Sequence, residues 1–187
     1  KSLKKCRILV SNDDGIEAAG IKVLERIARE LSDDVWVVAP ESEQSAAGHS
    51  LTLRRPLRIR KLGKQHYAVD GTPTDCVLLA VNKLMKDHRP DIVLSGVNRG
   101  GNLGEDITYS GTVAAAMEGT LMGIRSFALS QVVMPDQPVK WATAEAWAPK
   151  VIKKLCTQPC PNNVLMNINF PDTLAKKVEG VVLARQG

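Results

Sequence analysis

Short, almost continuously apolar runs alternate with helical patterns along most of this chain. The runs predict strands over residues 7–11, 35–39, 91–95, 125–130 and 164–169. Helices are predicted between them, over residues 18–31, from Pro73 to about Lys86, over 111–122 and over 141–156. Strands that lack polar alternation are typical of parallel sheets covered by helices on both faces. The sequence therefore predicts an α/β fold with a doubly wound, mostly parallel sheet, in one domain spanning residues 1–187.

One region departs from this pattern. Residues 51–60 and 66–69 alternate apolar and polar side chains and predict a β-hairpin excursion rather than a central strand. A further strand-like run covers residues 178–185. Because the sequence opens on Lys1 rather than Met, and no helix follows this last run, we expect it to be a piece of a longer protein.

The composition is typical of a globular protein with a modest basic excess. Of the 187 residues, 44% are apolar and 24% are charged, and the formal net charge is +5. The lysines and arginines are scattered along the chain, and only 4% of the residues are aromatic. This pattern argues against a nucleic-acid polymer as partner and favours a small anionic substrate.

The spacing of the cysteines and the lengths of the apolar runs indicate the cellular compartment of the protein. The chain has four cysteines without a C-x-x-C pair, and Cys156 and Cys160 lack the second pair that a structural zinc site needs. Buried or free thiols in a reducing cytoplasm are the favoured interpretation. No apolar run is long enough for a signal peptide or a membrane span. We therefore expect a cytoplasmic protein without a membrane partner.

Two adjacent carboxylates follow the first strand directly. The segment Asn12-Asp13-Asp14-Gly15 comes after the run 7–11, and the carboxyl ends of parallel strands form the ligand crevice of such a sheet. Since neighbouring like charges repel each other, a chain that keeps both at a strand end favours cation binding. The same residues also make an ordinary turn that leads into a helix. Metal binding and a structural turn are both consistent with this segment alone.

Two more polar loops follow predicted strands. The loop 40–50 follows the second strand and is rich in hydroxyl side chains, and the glycine-rich loop 96–104 follows the third and contains asparagines. Together with Asp13 and Asp14, these loops bring carboxylate, hydroxyl and amide oxygens to one edge of the sheet. Such an all-oxygen set suits a hard divalent cation such as Mg²⁺, Mn²⁺ or Ca²⁺.

A fourth segment, Tyr109-Ser110-Gly111-Thr112, opens the helix predicted over 111–122. The first backbone N–H groups of a helix can hold a phosphate. Serine is also a common helix cap, so capping alone accounts for Ser110. The joint placement of this helix start and the three loops is what favours an anion site beside a cation.

Ordered blocks within residues 7–130 resemble one protein family. The blocks cover residues 12–16, 38–50, 71–77, 95–100 and 109–113, with a further block at 167–171. In these blocks the chain is similar to the SurE (survival protein E) family of metal-dependent 5′/3′-nucleotidases. The resemblance implies a Rossmann-like fold, a divalent cation with Mg²⁺ or Mn²⁺ expected and one ion per subunit, and hydrolysis of nucleoside monophosphates. We expect short polyphosphate as a side substrate.

The resemblance also assigns roles to individual residues. The family's metal ligands fall on Asp13, Asp14, Ser45 and Asn98. The catalytic residues are expected at Asp13, Asp14, Asn12 and Ser110, and the phosphate contacts at Asn102, Ser110, Gly111 and Thr112. In this interpretation Asp13 orients a metal-activated water that attacks phosphorus, so no side-chain nucleophile is needed. His49 is either an acid for the leaving group or a hydrogen-bonded loop residue.

Assembly is a further implication of the resemblance. It implies a homodimer or a homotetramer. Family members usually continue beyond the Gly187 end of this sequence into an extension that takes part in subunit exchange. We expect this sequence to lack that extension.

Other functions fit the motifs less well. A haloacid-dehalogenase-type phosphatase places its carboxylates two residues apart, whereas Asp13 and Asp14 are adjacent. A dinucleotide-binding oxidoreductase requires G-x-G-x-x-G at a strand-to-helix turn, and the loop 96–104 is spaced differently. A non-catalytic nucleotide-binding or regulatory module remains the alternative to an enzyme.

Overall fold

The computed structural model describes residues 2–45, 47–161 and 163–186. The strands are β1 Arg7–Ser11, β2 Asp34–Pro40, β3 Ile59–Lys61, β4 His66–Val69, β5 Ile92–Arg99, β6 Arg125–Gln131 and β7 Met166–Phe170. Within these residues they form one sheet in the order β3-β4-β2-β1-β5-β6-β7. Every neighbouring pair is parallel except β3 with β4. The predicted doubly wound, mostly parallel α/β sheet is confirmed.

Helices cover both faces of the sheet. They are α1 Ala19–Leu31, α2 Pro73–Leu79 with a π-helical continuation over Ala80–Leu84, α3 Asp106–Tyr109, α4 Gly111–Leu121 and α5 Trp141–Cys156. Ile8 and Val10 of β1 pack in one core cluster with α1 and α5, whereas Leu9 packs in a second cluster with α2 and α4. Successive strand residues point to opposite faces, so a single strand contributes to both cores. In the part of the chain that the structure describes, no helix is both long and apolar enough to cross a membrane.

The start of α2 is fixed by its first residues. Thr72 Oγ1 accepts a hydrogen bond from the Asp75 N–H at 3.1 Å, and Asp75 Oδ2 accepts one from the Thr72 N–H at 2.9 Å. This reciprocal capping box satisfies two backbone donors, and Pro73 occupies a first-turn position where its missing N–H costs little. The helix predicted to begin at Pro73 therefore begins there.

The predicted hairpin is shorter than expected. Only Ile59–Lys61 pairs with His66–Val69, and residues 51–58 form no strand. Leu53 is 83% exposed, so the alternation in this segment has no buried face to hold it on the sheet. Pro56 also lacks the N–H that strand pairing needs.

Two other segments differ from the prediction. Residues 178–185, which resemble a strand in sequence, form no strand, and Leu183 is 93% exposed. A strand requires a neighbour that pairs with it, and none of the described residues takes that place. The glycine-rich segment 96–104, predicted as a loop, begins as strand because β5 extends as far as Arg99, and the short helix α3 Asp106–Tyr109 follows it.

The order of the strands in the sheet determines where the candidate site lies. From β1 the chain moves to β2 on one side, and it later returns to place β5 on the other side of β1. Because the direction of strand addition reverses at β1, a crevice opens above the carboxyl ends of β1 and its neighbours. The segments that follow β1 and β2, together with the last residues of β5, therefore meet at one edge of the sheet.

Candidate active site

Asp13 is held at the end of β1 by two segments that are distant in sequence. Its Oδ1 accepts a hydrogen bond from the Thr112 hydroxyl, and the Thr112 backbone N–H also bonds to the carboxylate. Its backbone carbonyl accepts a hydrogen bond from the Gln44 N–H at 2.8 Å. Asp13 is buried and Thr112 is fully buried. Thr112, predicted to contact phosphate, therefore contacts Asp13 with both of its donors in this structure.

The first residue of α4 must be small because it lies against Asp13. A Cβ atom added to Gly111 would lie 2.6 Å from the Asp13 Cβ, which is closer than such atoms approach each other. Next to it, Ser110 Oγ accepts a hydrogen bond from the Val113 N–H at 3.1 Å and caps the helix. The positive end of the α4 dipole is thus brought beside the carboxylates, where it favours an anion.

The loop after β2 carries Ser45 to the same edge of the sheet. The bond between the Gln44 N–H and Asp13 ties this loop to the end of β1. The Ser45 hydroxyl donates a hydrogen bond to Glu43 Oε1 at 2.6 Å. Glu43, to which the sequence analysis assigned no role, therefore lies next to a predicted metal ligand.

Asn98 lies within β5 rather than in a loop, and it pairs with Ser130 of β6. Its amide Nδ2 donates a hydrogen bond to the Gly100 carbonyl at 3.0 Å, which leaves the amide oxygen as the group that could bind a cation. β5 shifts register between Ser95 and Asn98. Gly96 permits this shift, because its φ is +128° and a Cβ there would lie 2.2 Å from the Leu129 carbonyl oxygen.

One cavity of about 680 Å³ brings most of these side chains together. It is lined by Asp14, Glu43, Ser45, Asn98 and Arg99, and by residues 133–137. Three of the four predicted metal ligands thus share a cavity, and Asp13 lies adjacent in sequence to one of them. The segment 133–137 follows β6 and was not identified from the sequence.

The two carboxylates are in an environment that disfavours their charge. Burial, together with the neighbouring Asp13 and Glu43 carboxylates, raises the pKa of Asp14 to about 6, although a backbone hydrogen bond and the charge of Arg99 oppose this shift. Burial also raises the pKa of Asp13, against the opposing hydrogen bonds from Thr112. Neither aspartate forms an ion pair with any residue that the structure describes. A bound cation would neutralise the charge of these two carboxylates.

The other predicted site residues have partners inside the protein. Asn102 is buried, its amide donates a hydrogen bond to Ser130 Oγ at 2.8 Å, and its carbonyl accepts bonds from Asn167 and Asn169. It therefore links the loop after β5 to β6 and β7. His49 Nε2 lies 2.8 Å from an oxygen of Glu118 on α4, so the hydrogen-bonded alternative for this residue is the one that the structure contains.

The family model described as Survival protein SurE matches residues 8–187. The chain belongs to the SurE family. A protein of Paramagnetospirillum magneticum named 5′-nucleotidase SurE is 67% identical over 97% of this chain and 70% of its own length. A protein of the same name from Parvibaculum lavamentivorans is 59% identical over 98% of this chain and 67% of its own length.

A solved SurE structure shares the fold. The crystal structure of the SurE protein from Aquifex aeolicus superposes with a TM-score of 0.89 at 40% sequence identity. The match covers 97% of this chain and 72% of the Aquifex chain. This chain therefore has the architecture of a SurE protein.

The donor set of this SurE chain fits a hard divalent cation. Asp13 and Asp14 supply carboxylates, Ser45 a hydroxyl and Asn98 an amide oxygen, which are ligands of the type that Mg²⁺ and Mn²⁺ prefer. Asn12 Oδ1 is buried without a hydrogen-bond partner next to these carboxylates, while its Nδ2 donates to the Gly15 carbonyl at 2.8 Å. Within the described ranges, no group of three or more His, Cys, Asp or Glu side chains could hold a metal ion. The predicted site therefore depends on its hydroxyl and amide oxygens.

Proposed function

We propose that this chain is a divalent-metal-dependent 5′-nucleotidase that also accepts 3′-nucleotides, with nucleoside monophosphates as substrates. The observation that carries the proposal is that Asp14, Ser45 and Asn98 line one cavity beside Asp13 and the start of α4. The names of the SurE relatives, 5′-nucleotidase, support the same activity. Short polyphosphate is proposed as a side substrate because its terminal phosphate would need the same contacts.

Asp13, Asp14, Ser45 and Asn98 would hold one Mg²⁺ or Mn²⁺ ion per subunit. Such a cation, when bound, polarises the phosphoryl group and lowers the pKa of a water molecule at the site. The donor set supports this role because it is wholly oxygen, and because burial raises the pKa of both carboxylates even though the charge of Arg99 opposes the shift at Asp14.

The chain's own residues then position the reactants. Thr112 fixes the carboxylate of Asp13, so this side chain is oriented before substrate arrives. The Gly111 N–H and the Ser110 hydroxyl at the start of α4 would contact phosphoryl oxygens, where the helix dipole offsets developing negative charge. Asn102 is buried and holds its loop on β6 and β7, so we assign it a supporting position.

We also propose that the chain acts as a homodimer or a homotetramer. Val181, Val182 and Leu183 are 61%, 87% and 93% exposed, and three adjacent exposed apolar side chains favour burial in an interface. No contact with a membrane or with a nucleic-acid polymer forms part of the proposal.

Phosphate release by the purified protein tests the proposed activity. The substrates are adenosine 5′-monophosphate, adenosine 3′-monophosphate and tripolyphosphate, each with Mg²⁺, with Mn²⁺, or after EDTA treatment. We expect inorganic phosphate only when a divalent cation is present, with the 5′-nucleotide cleaved best. Nucleotide binding without release under every condition would instead identify a non-catalytic nucleotide-binding module.

A further inference from the structure

The cavity that contains the predicted metal ligands is much larger than a phosphate group needs. Its volume of about 680 Å³ lies within the range of cavities that hold whole small molecules. One part of its lining is polar and charged, with Asp14, Glu43, Ser45 and Asn98. The remainder comes from the segment 133–137 and from Arg99. A substrate whose phosphate lies at the carboxylates would therefore extend its leaving group along this second part.

The segment 133–137 is positioned by the sheet. β6 is parallel to β5, so the residues that follow β6 emerge at the same edge as Asn98. The Val132 N–H donates a hydrogen bond to the Phe170 carbonyl at 2.9 Å. The segment therefore starts from a fixed point between β6 and β7.

Asp172 anchors this segment at two further points. Its Oδ2 accepts a hydrogen bond from the Met134 N–H at 3.1 Å, and its Oδ1 lies 2.6 Å from Lys140 Nζ. The ion pair is partly shielded, since the side chain of Asp172 is only 8% exposed. Met134 thus has a fixed backbone while the residue as a whole remains 58% exposed.

The chemistry of this part of the cavity differs from that around the carboxylates. Val133, Met134 and Pro135 present three consecutive apolar side chains beside a site that otherwise carries charged and amide groups. A phosphate or a ribose gains little from such a surface, whereas a nucleobase is flat, aromatic and apolar on its faces. Methionine sulfur makes favourable contacts with aromatic rings, and its flexible side chain adapts to rings of different size. Asp136 and Gln137 follow directly and supply polar groups for the edge of a base.

We propose that residues 133–137 form the nucleobase subsite of this cavity, with Met134 contacting the face of the base. The inference rests on the proposed nucleotidase function and extends it to the part of the substrate that does not react. A flexible thioether contact tolerates both purines and pyrimidines, so the subsite favours nucleotides as a class over phosphate esters that lack a base.

The test compares M134A with the wild type on two substrates, adenosine 5′-monophosphate and ribose 5-phosphate. We expect the ratio of kcat/KM for the nucleotide to kcat/KM for the sugar phosphate to fall about tenfold in M134A, the size expected for losing one apolar side-chain contact. The change should come mainly from KM for the nucleotide, because the contact is made equally before and during the reaction. L121A is the matched control: Leu121 is 70% exposed at the far end of α4, and its loss should leave the ratio unchanged.

Equilibrium binding separates failure of the subsite from failure of the proposed function. Titration calorimetry with adenosine 5′-monophosphate and with ribose 5-phosphate needs no turnover. Weaker binding of the nucleotide alone to M134A supports the subsite even if the wild type releases no phosphate. An equal loss for both ligands, no loss for either, or no nucleotide binding to the wild type would overturn the subsite.

Discussion

The pKa values of the carboxylates at the two ends of the central sheet are shifted in opposite directions. At the carboxyl end, burial raises the pKa of Asp13 and of Asp14, and neither has an ion-pair partner among the residues described. At the amino end, partial burial also opposes the charge of Asp34, but hydrogen bonds from Arg7 and two other side chains outweigh it, and its pKa is lowered. A carboxylate with a raised pKa destabilises the fold when it ionises, whereas one with a lowered pKa stabilises it.

Cavity size does not distinguish the two ends. A cavity of about 580 Å³ opens at the amino end beside Cys6, Arg125 and Cys156, and the one at the carboxyl end measures about 680 Å³. The difference lies in how the carboxylates at the two ends of the sheet are paired. Arg7 Nε lies 2.7 Å from Asp34 Oδ2, and its guanidinium also lies over the Trp36 ring at 5.7 Å. Asp34 is thus paired with a neighbouring cation, whereas Asp13 and Asp14 have no ion-pair partner among the described residues.

The largest expected effect is that of Asp13→Asn on turnover. Removing this charge disturbs both cation binding and the orientation of water, so phosphate release should fall by about 10³-fold or more. Thermal stability should change little, because burial disfavours the charged form of the Asp13 carboxylate that the substitution removes. Asp33→Asn, at an aspartate 80% exposed near the amino end, is the matched control and should retain full activity. Near-normal turnover of Asp13→Asn with added Mg²⁺ or Mn²⁺ would contradict the proposed mechanism.

A smaller loss is expected for Ser110→Ala. The change removes a proposed phosphate contact and the cap of α4, and it leaves Asp13 in place. We expect turnover to fall about 10–10³-fold and stability to fall by about 1 kcal/mol. Thr72→Ala removes the cap of α2 and controls for the stability effect, with turnover expected to stay near the wild-type value. Complete loss of activity, together with trapping of labelled phosphate on the wild type, would identify Ser110 as a nucleophile instead.

The sequence predicted the site residues that lie next to strand ends, because strand periodicity and turn residues are local signals. Asp13 and Asp14 could be placed at the carboxyl edge from the apolar run 7–11 alone. Residues 51–58 were misassigned because alternation in sequence does not show whether a neighbouring strand exists. The bond between Thr112 and Asp13 could not be predicted, because it spans 99 residues and has no local signature.

Two further residues that line the cavity could not be identified from the spacing of residues in the sequence. Glu43 lies two residues before Ser45, a separation that gives a hydrogen bond only once the loop has its folded path. Met134 belongs to the site only because β6 lies beside β5 and Asp172 anchors the segment that follows. The second case depends on which strands become neighbours, and the pattern within a single strand does not determine that.

The smallest expected effect tests the amino end, where Asp34→Asn should lower the free energy of unfolding by about 1 kcal/mol at pH 7 and leave turnover unchanged. The value is modest because the Asp34 side chain is 34% exposed and solvent screens its pair with Arg7. The pKa of Asp34 is lower in the folded chain than its ordinary value of 3.8, so its contribution is fully present above that value and is lost as the pH falls through the folded pKa. Urea unfolding of both proteins at pH 7, 5 and 3 should therefore show a constant difference at the two higher values and a smaller one at pH 3. A difference that grows on acidification would mean that Asp34 is not stabilised by its charge, and the contrast between the two ends of the sheet would then rest on Asp13 and Asp14 alone.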